Sequence, residues 1–282
     1  MSGFSLDLTG RVALVTGGSR GIGAATVRLL RLSGARVAFS FRAAAEQAAA
    51  LAAECGGPDH CVAIRQELAS AADGEALVQS AVHAFGRLDS LIVNHGVWPP
   101  HDAPIGVMSD AQWQSTLAIN LHSVFGLVRA AVAQMDAQTN AQAAALPAAQ
   151  NTTPDPASSN IAPLRGHIVL ISSTAGQRGE AFHADYATTK GALISLTKSL
   201  SSELAPRGFR VNCVAPGWVA TEMSAAALTD PVRGPRIASA IPVGRAGSVE
   251  EIAAPIVFLC TPHAAFISGE ILNVNGGAVL VG

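Results

Sequence analysis

The stretch RVALVTGGSRGIGAATVRLL, Arg11 to Leu30, decides the fold. Its first six residues are a short apolar, β-branched run, the pattern of a buried strand. A turn follows, with Gly17, Gly21 and Gly23 spaced G-x-x-x-G-x-G and Thr16, Ser19, Arg20 and Ile22 around them. From Ala24 to Leu32 the apolar residues recur at helical spacing. Glycines let such a turn close sharply and bring backbone near a pyrophosphate, which the helix amino terminus then stabilises. A glycine pattern alone is a weak signal. Its position between a strand and a helix is the context that makes it a dinucleotide site.

Outward from this unit, strands alternate with helices. Further strands are expected at Arg36–Phe41, His60–Ile64, Leu88–Val93, Gly166–Ile171, Phe209–Val214 and Glu270–Val274. Helical patterns cover an Ala-rich run to about Cys55, then Ser70–Phe85, about Asp110–Met135, Ala184–Leu204 and Val249–Cys260. Most strands are apolar on both faces, as in a parallel sheet covered by helices on both sides. Right-handed crossovers then predict one α/β domain over 1–282, a doubly wound sheet of seven parallel strands, with no solenoid repeat. The segment 137–163 is the exception. It holds four prolines and a single charge, Asp155, and reads as a mobile surface insertion, with Ala141 to Ala145 prolonging the preceding helix. It enters at the amino end of the fifth strand, whereas ligands of open α/β sheets bind at the carboxyl ends.

Composition excludes several classes of function. The chain has 282 residues, 49% hydrophobic and 13% charged, which suits a folded domain with an ample core. A net charge of −2 gives no basic surface for nucleic acid or membrane. No apolar run appears long enough to span a membrane, and the start lacks a basic stretch leading into an apolar core, so a cytoplasmic protein is expected. Cys55, Cys61, Cys213 and Cys260 form no Cys-x-x-Cys pair, the histidines show no ligand spacing, and no metal is expected.

The chemistry is carried by Tyr186-Ala187-Thr188-Thr189-Lys190. Tyr186 is the sole tyrosine, and Lys190 is one of two lysines in a chain that otherwise uses Arg. At i and i+4 on a helix, phenol and ammonium share a face. A free phenol, with a pKa of about 10, is a poor acid–base catalyst near neutrality. A neighbouring cation favours the phenolate, so Lys190 is expected to lower that value and make Tyr186 a proton donor to an alkoxide or acceptor from an alcohol.

With Thr16-Gly17-x-x-x-Gly21-Ile22-Gly23 and Tyr186-x-x-x-Lys190 both present, the chain resembles the short-chain dehydrogenase/reductase family from about Leu6 to its end, apart from the insertion. Val93-Asn94-His95-Gly96 is similar to the family's Asn-Asn-Ala-Gly element after the fourth strand, with His95 where Ala is usual. Asn120 matches its helix asparagine and Ser173, thirteen residues before Tyr186, its catalytic serine. Pro216-Gly217 with Val219 and Thr221 matches the loop that holds the nicotinamide amide, and Asn273 to Gly277 resembles the closing strand and turn, with Asn275 for the usual Asp. The resemblance implies a Rossmann fold. It implies that Ser173 bonds the substrate carbonyl, Tyr186 exchanges the proton, Lys190 bonds the nicotinamide ribose, and Asn120 holds a water on a proton path. It also implies a substrate lid at 221–242, where Arg233 and Arg236 read as solvated charges.

The second strand ends at Phe41, where NAD enzymes of this kind place a carboxylate for the ribose hydroxyls. Here Ser40 precedes and Arg42 follows, so a 2′-phosphate meets no repulsion and finds a cation. Arg20 adds a second. NADP(H) is therefore expected as the preferred cofactor, with NAD(H) also usable. Glu67-Leu68 matches the family's adenine-holding pair. His95 is expected along the cofactor rather than at the carbonyl. Trp98, Gln177, Arg178, His183 and Trp218 follow strand ends and are read as loop residues beside the substrate. The expected activity is reduction of a carbonyl or oxidation of a secondary alcohol, with resemblance to 3-oxoacyl-carrier-protein reductases. The alternative from another class is a catalytically idle dinucleotide sensor or scaffold, against which stands the full set Asn120, Ser173, Tyr186 and Lys190. Small and apolar helix faces (Ala130, Ala131, Ala133; Gly191, Ala192, Leu196) predict a homodimer or homotetramer.

Overall fold

The computed structural model describes residues 6–145 and 164–281. Seven parallel strands form one sheet in the order β3-β2-β1-β4-β5-β6-β7. They are β1 (Val12–Val15), β2 (Arg36–Phe41), β3 (Cys61–Arg65), β4 (Ser90–Val93), β5 (Gly166–Ile171), β6 (Phe209–Pro216) and β7 (Ile271–Val274). The order reverses between β1 and β4, where Ala13, Leu14 and Val15 stand in register with Ser90, Leu91 and Ile92. That reversal opens a crevice at the carboxyl ends of the strands. β1, β4 and β5 are buried along their whole length, which explains why they read as unbroken apolar runs.

The helices are α1 (Gly21–Leu32), α2 (Ala45–Glu54), α3 (Ala71–Phe85), α4 (Asp110–Leu117), α5 (Ser123–Ala145), α6 (Thr174–Arg178), α7 (Ala184–Leu204), α8 (Ala225–Thr229), α9 (Arg233–Ser239) and α10 (Val249–Phe258). They build a core on each face of the sheet. One packs α1 and α10 against Phe39, Val169 and Val214; the other packs α3, α5 and α7 against Leu14, Leu91 and Ile168. Local signals set several starts. The Ser70 side chain accepts from Asp73 N–H, and Ser248 with Glu251 forms a reciprocal capping box at α10.

Three expectations need correction. The long helix from Asp110 is broken by a π-turn at Ala118–His122, which carries Asn120; spacing alone does not reveal such a turn, and π-turns gather at functional sites. The run Asp110–Gln142 does reach membrane-spanning length and apolarity, with mean hydropathy 1.4. Its Val124, Leu127, Val128, Ala131 and Met135 are buried in the α3/α5/α7 core, which accounts for the apolar content. The segment 221–242, for which no helix is expected above, contains the short helices α8 and α9. Of the expected insertion, 137–145 continues α5; the rest, 146–163, lies outside the described residues.

Candidate active site

The glycine turn after β1 is held from three sides. Gly17 N–H donates to Ser40 Oγ at 3.1 Å and Gly18 N–H to Ser40 O at 2.8 Å, tying the turn to β2. Asn94 Nδ2 donates to the carbonyls of Thr16 and Gly17, each at 3.1 Å, tying it to β4. Gly17 and Gly21 take φ of +64° and +55°, a region L side chains rarely enter. A Cβ on Gly23 would lie 2.1 Å from Gly17 O, so α1 can pack on the turn only with glycine there. The N-cap residue of α1, Arg20, offers its helix no side-chain acceptor. The first N–H groups of α1 thus remain available to an anion. The turn therefore fits a dinucleotide pyrophosphate. Thr221 stands above it, its Cγ2 3.5 Å from where a Gly21 Cβ would be.

Of the other expected cofactor residues, Phe41 ends β2 half-buried, and Arg42 beyond it is exposed. No carboxylate sits at that strand end. Arg20 pairs through Nη1 with Glu222 Oε2 at 2.6 Å, both side chains well exposed. Glu67 is exposed and Leu68 buried just beyond β3. Ile22 packs against the core, and Ser19 lies partly exposed in the turn. Pro216 ends β6, and Gly217 N–H donates to Val274 O at 3.1 Å. Val219 is buried and bridges to Gly247. Thr221 is fixed by the buried Ser224, which also binds Val219 O; sequence reading missed that serine.

His95 does not face the crevice with its polar atoms. Its Nδ1 lies 2.8 Å from Thr16 Oγ1, and its Nε2 lies 3.0 Å from Ile119 O and 2.8 Å from Ser123 Oγ. A carbonyl only accepts, so Nε2 carries the proton and Thr16 donates to Nδ1. The same Thr16 oxygen accepts from the N–H groups of Asn94 and His95. Burial, with help from the Lys190 charge, pushes the imidazole down to about 4. His95 therefore acts as a neutral peg between the β1 end and the π-turn. Gly96, next to it, approaches Asn120 and Lys190: a Cβ there would stand 3.3 Å from Asn120 Oδ1 and 3.4 Å from Lys190 Nζ.

Asn120, Ser173, Tyr186 and Lys190 converge at the carboxyl end of β5. Asn120 is buried; it accepts from Val97 N–H at 2.8 Å and donates to Val97 O at 2.9 Å and Thr189 Oγ1 at 3.2 Å. Thr189 in turn donates to Tyr186 O at 2.8 Å. Ser173 caps α6, its Oγ accepting from Ala175 N–H at 3.1 Å, and also stands against the Tyr186 phenol, favouring the charged form. Its hydroxyl proton stays available to an oxygen above it. The hydroxyl of the neighbouring Ser172 donates to Lys190 O at 2.7 Å and pins α7 to the end of β5. Lys190 Nζ donates to Ile171 O at 2.8 Å and lies 5.7 Å from the centre of the Tyr186 ring.

The electrostatics reverse one expectation. Burial pushes the Tyr186 phenol up to about 12, opposed by Ser173 and assisted by the Glu180 charge. Burial pushes Lys190 down to about 8. In this arrangement desolvation, not the Tyr–Lys pairing, sets both values. A helix face reveals proximity but not burial, which is why the residue spacing pointed the other way. Near neutrality Tyr186 holds its proton.

Around the opening, Trp98 stacks on His183 with ring centres 4.6 Å apart and meets Trp218 edge-on at 6.5 Å. Gln177 is drawn away, its Nε2 donating to Asn273 Oδ1 at 2.6 Å, and Arg178 is exposed. Asp185, buried beside Tyr186, accepts from Thr116 and Gln112 and was not singled out from the sequence; a carboxylate next to a motif tyrosine carries no spacing signal. Among the described residues no group of three or more His, Cys, Asp or Glu side chains could hold a metal ion.

Comparison with known proteins agrees with this geometry. Residues 11–146 match the family model described as short chain dehydrogenase, and 155–279 the model described as enoyl-(acyl carrier protein) reductase. The chain is 34% identical over 277 residues to a 3-oxoacyl-[acyl-carrier-protein] reductase of Synechocystis, covering 97% of this chain and 98% of that one. Among solved structures it is similar to a short-chain dehydrogenase/reductase, glucose/ribitol dehydrogenase, from Brucella melitensis, with TM-score 0.82, 33% identity and coverage of 99% and 100%. It is also similar to a blue fluorescent protein from a metagenomic library in complex with NADPH, with TM-score 0.81, 31% identity and coverage of 97% and 100%. By its sheet order, its glycine turn and these relationships, the chain belongs to the short-chain dehydrogenase/reductase family, whose members are NAD(P)-dependent oxidoreductases.

Proposed function

We propose that this chain is an NADP(H)-preferring carbonyl reductase, also able to use NAD(H), that works as one catalytic domain with 221–242 as its substrate lid. The observation that carries it is the meeting of Ser173, Tyr186 and Lys190 at the end of β5, beside Gly96 and Asn120. A bound nicotinamide supplies or accepts the hydride. Ser173, with its lone pair engaged by Ala175 N–H, directs its proton to the substrate oxygen. Tyr186, neutral at working pH, gives its proton to the oxygen as negative charge develops there. Lys190, held by Ile171 O, would bond the ribose, and Asn120 links α7 to the Val97 backbone so that the relay keeps its shape.

Support for the phosphate preference is local: Arg42 follows β2, Arg20 lies in the glycine turn, and no carboxylate ends β2. A 3-oxoacyl thioester or small ketone suits the reactive centre, and the relatives include a 3-oxoacyl reductase. A cytoplasmic location and assembly as a homodimer or homotetramer belong to the same reading; Phe125, exposed on α5, and Leu196 on α7 give an apolar face for pairing. The test is steady-state reduction of an acetoacetyl thioester and a ketone panel with NADPH and NADH, alongside Tyr186→Phe. Reduction by the wild type with loss of at least about 100-fold in the variant is expected. Equal turnover by both proteins refutes the assignment.

A further inference from the structure

The loops after β4 and β5 are tied to each other across the opening. Ala103 N–H donates to Phe182 O at 2.9 Å, and His183 Nε2 lies 3.0 Å from Pro99 O. Phe182 accepts a φ of +67° to make this link, the one non-glycine residue in the left-handed region among the described residues. Such a conformation is strained and persists where surrounding contacts enforce it. The same two loops set Trp98 flat on His183, with 13° between the rings, and edge-on to Trp218.

Glu180 belongs to this wall, two residues before Phe182, and is half-buried. Burial pushes its carboxyl up; His183, the Trp98 indole and Arg178 favour the charged form, and Asp102 opposes it. The Glu180 charge is felt at the Tyr186 phenol. An acceptor-only group thus stands beside this aromatic cluster, within electrostatic reach of the Tyr186 hydroxyl. None of the ion pairs formed by the described residues uses it.

We propose that Glu180, with Trp98, His183 and Trp218, forms a substrate subsite that takes a hydrogen-bond donor, a hydroxyl or ammonium group, carried next to the reacting carbonyl. The proposal rests on the carbonyl-reductase reading and deepens it. The Trp98 indole engages one side of the carboxylate, and acceptor sites left over in half-desolvated surroundings favour a donor on the substrate over a plain alkyl neighbour. A carboxylate at the same place on the substrate is repelled. The indole rings pack on the C–H faces of a compact hydroxylated skeleton and attract a cation.

The experiment uses the full chain with NADPH and isosteric ketones: hydroxyacetone, aminoacetone, butanone and pyruvate, with an acetoacetyl thioester as the reference substrate. Wild type, Glu180→Gln and Glu180→Ala are compared by kcat/KM, and NADPH dissociation constants from cofactor fluorescence check that each variant keeps its cofactor site. The wild type should favour hydroxyacetone over butanone by about 10- to 100-fold, the worth of a hydrogen bond to a charged acceptor. Pyruvate should rank last. Glu180→Ala should bring the ratio near unity mainly through KM. Glu180→Gln should keep part of the preference for hydroxyacetone and lose it for aminoacetone. A wild-type ratio at or below unity, or one unchanged in Glu180→Ala, overturns the proposal. So does turnover of the thioester with none of the donor-bearing ketones. Absence of any reduction, thioester included, by a protein that binds NADPH instead sinks the carbonyl-reductase reading.

Discussion

Lys190, proposed above to bond the ribose, is buried at the expense of the folded state, and the size of that cost follows from its surroundings. The side chain is 4% exposed, and burial lowers its pKa from 10.5 to about 8. A depressed lysine means that the unfolded chain binds the proton more tightly than the native one. Near pH 7 the native state then carries a penalty of roughly 3 kcal/mol for holding the ammonium, from the size of the shift. As pH climbs through the folded value of about 8 towards the unfolded 10.5, the unfolded state alone keeps the proton, and the penalty fades. Lys190→Met keeps most of the volume and removes the charge. The variant should therefore unfold at higher urea than wild type near pH 7, by an amount approaching ~3 kcal/mol less the lost bond to Ile171 O. By about pH 9.5 more than half of that difference should be gone. His167, also buried and lowered to about 4, is present in both proteins and cancels in the comparison. The assay is urea unfolding of both cofactor-free proteins at the two pH values, with turnover recorded in parallel. A variant more stable than wild type yet nearly inactive is the expected pair of results. A stability difference that does not change with pH, or a less stable Lys190→Met near neutrality, refutes the reasoning.

Tyr186 being the sole tyrosine, phenolate absorbance reports it alone, and the cofactor-free protein should titrate near 12 rather than near 10; titration at the ordinary value would show that the phenol is not desolvated. His95→Ala should cost about 1–2 kcal/mol of stability by removing the ring's bonds to Thr16 Oγ1, Ile119 O and Ser123 Oγ, of which Ile119 O keeps Ser123 as a donor. It should also remove part of the acid sensitivity between 6.5 and about 4, since a histidine held neutral in the fold loses its contribution as pH falls through the lowered value; thermal melts across that range check both, and an unchanged acid limb contradicts the peg. Arg42→Ala should weaken NADPH binding by about 10- to 100-fold and NADH binding little, read as dissociation constants. Glu222→Gln frees Arg20 from its exposed pair and should tighten NADPH by no more than about 5-fold, because such pairs are weak; equal effects on both cofactors would defeat the phosphate pairing.

The fold was legible because its main signals are local and repeated. β1, β4 and β5 are buried on both faces, so each appears as an apolar run whatever surrounds it. The glycines of the first turn answer to backbone demands that no other residue meets, as the 2.1 Å approach at Gly23 makes plain. What stayed hidden depends on contacts distant in sequence. The π-turn at Ala118–His122 keeps a helical pattern on either side, and the bonds that occupy Ile119 O and Ser123 come from His95 on another element. Ser224 and Asp185 likewise matter through partners, not through spacing.

For Tyr186 and Lys190, sequence told which groups share a face but not which force on them is larger. At i and i+4 the ammonium and the ring do meet, 5.7 Å apart. Attraction across that gap would favour the phenolate only if the Lys190 ammonium were aimed at the hydroxyl. It is instead bonded to Ile171 O, and burial has lowered its pKa to about 8. The phenol loses more from its own desolvation than it recovers from Ser173. Both groups are thus shifted toward their uncharged forms by the same low-dielectric surroundings. That makes the cofactor-free site proton-bearing at Tyr186, the state that the proposed reduction requires, and it ties any fall in the phenol's pKa to whatever later brings positive charge or solvent beside it.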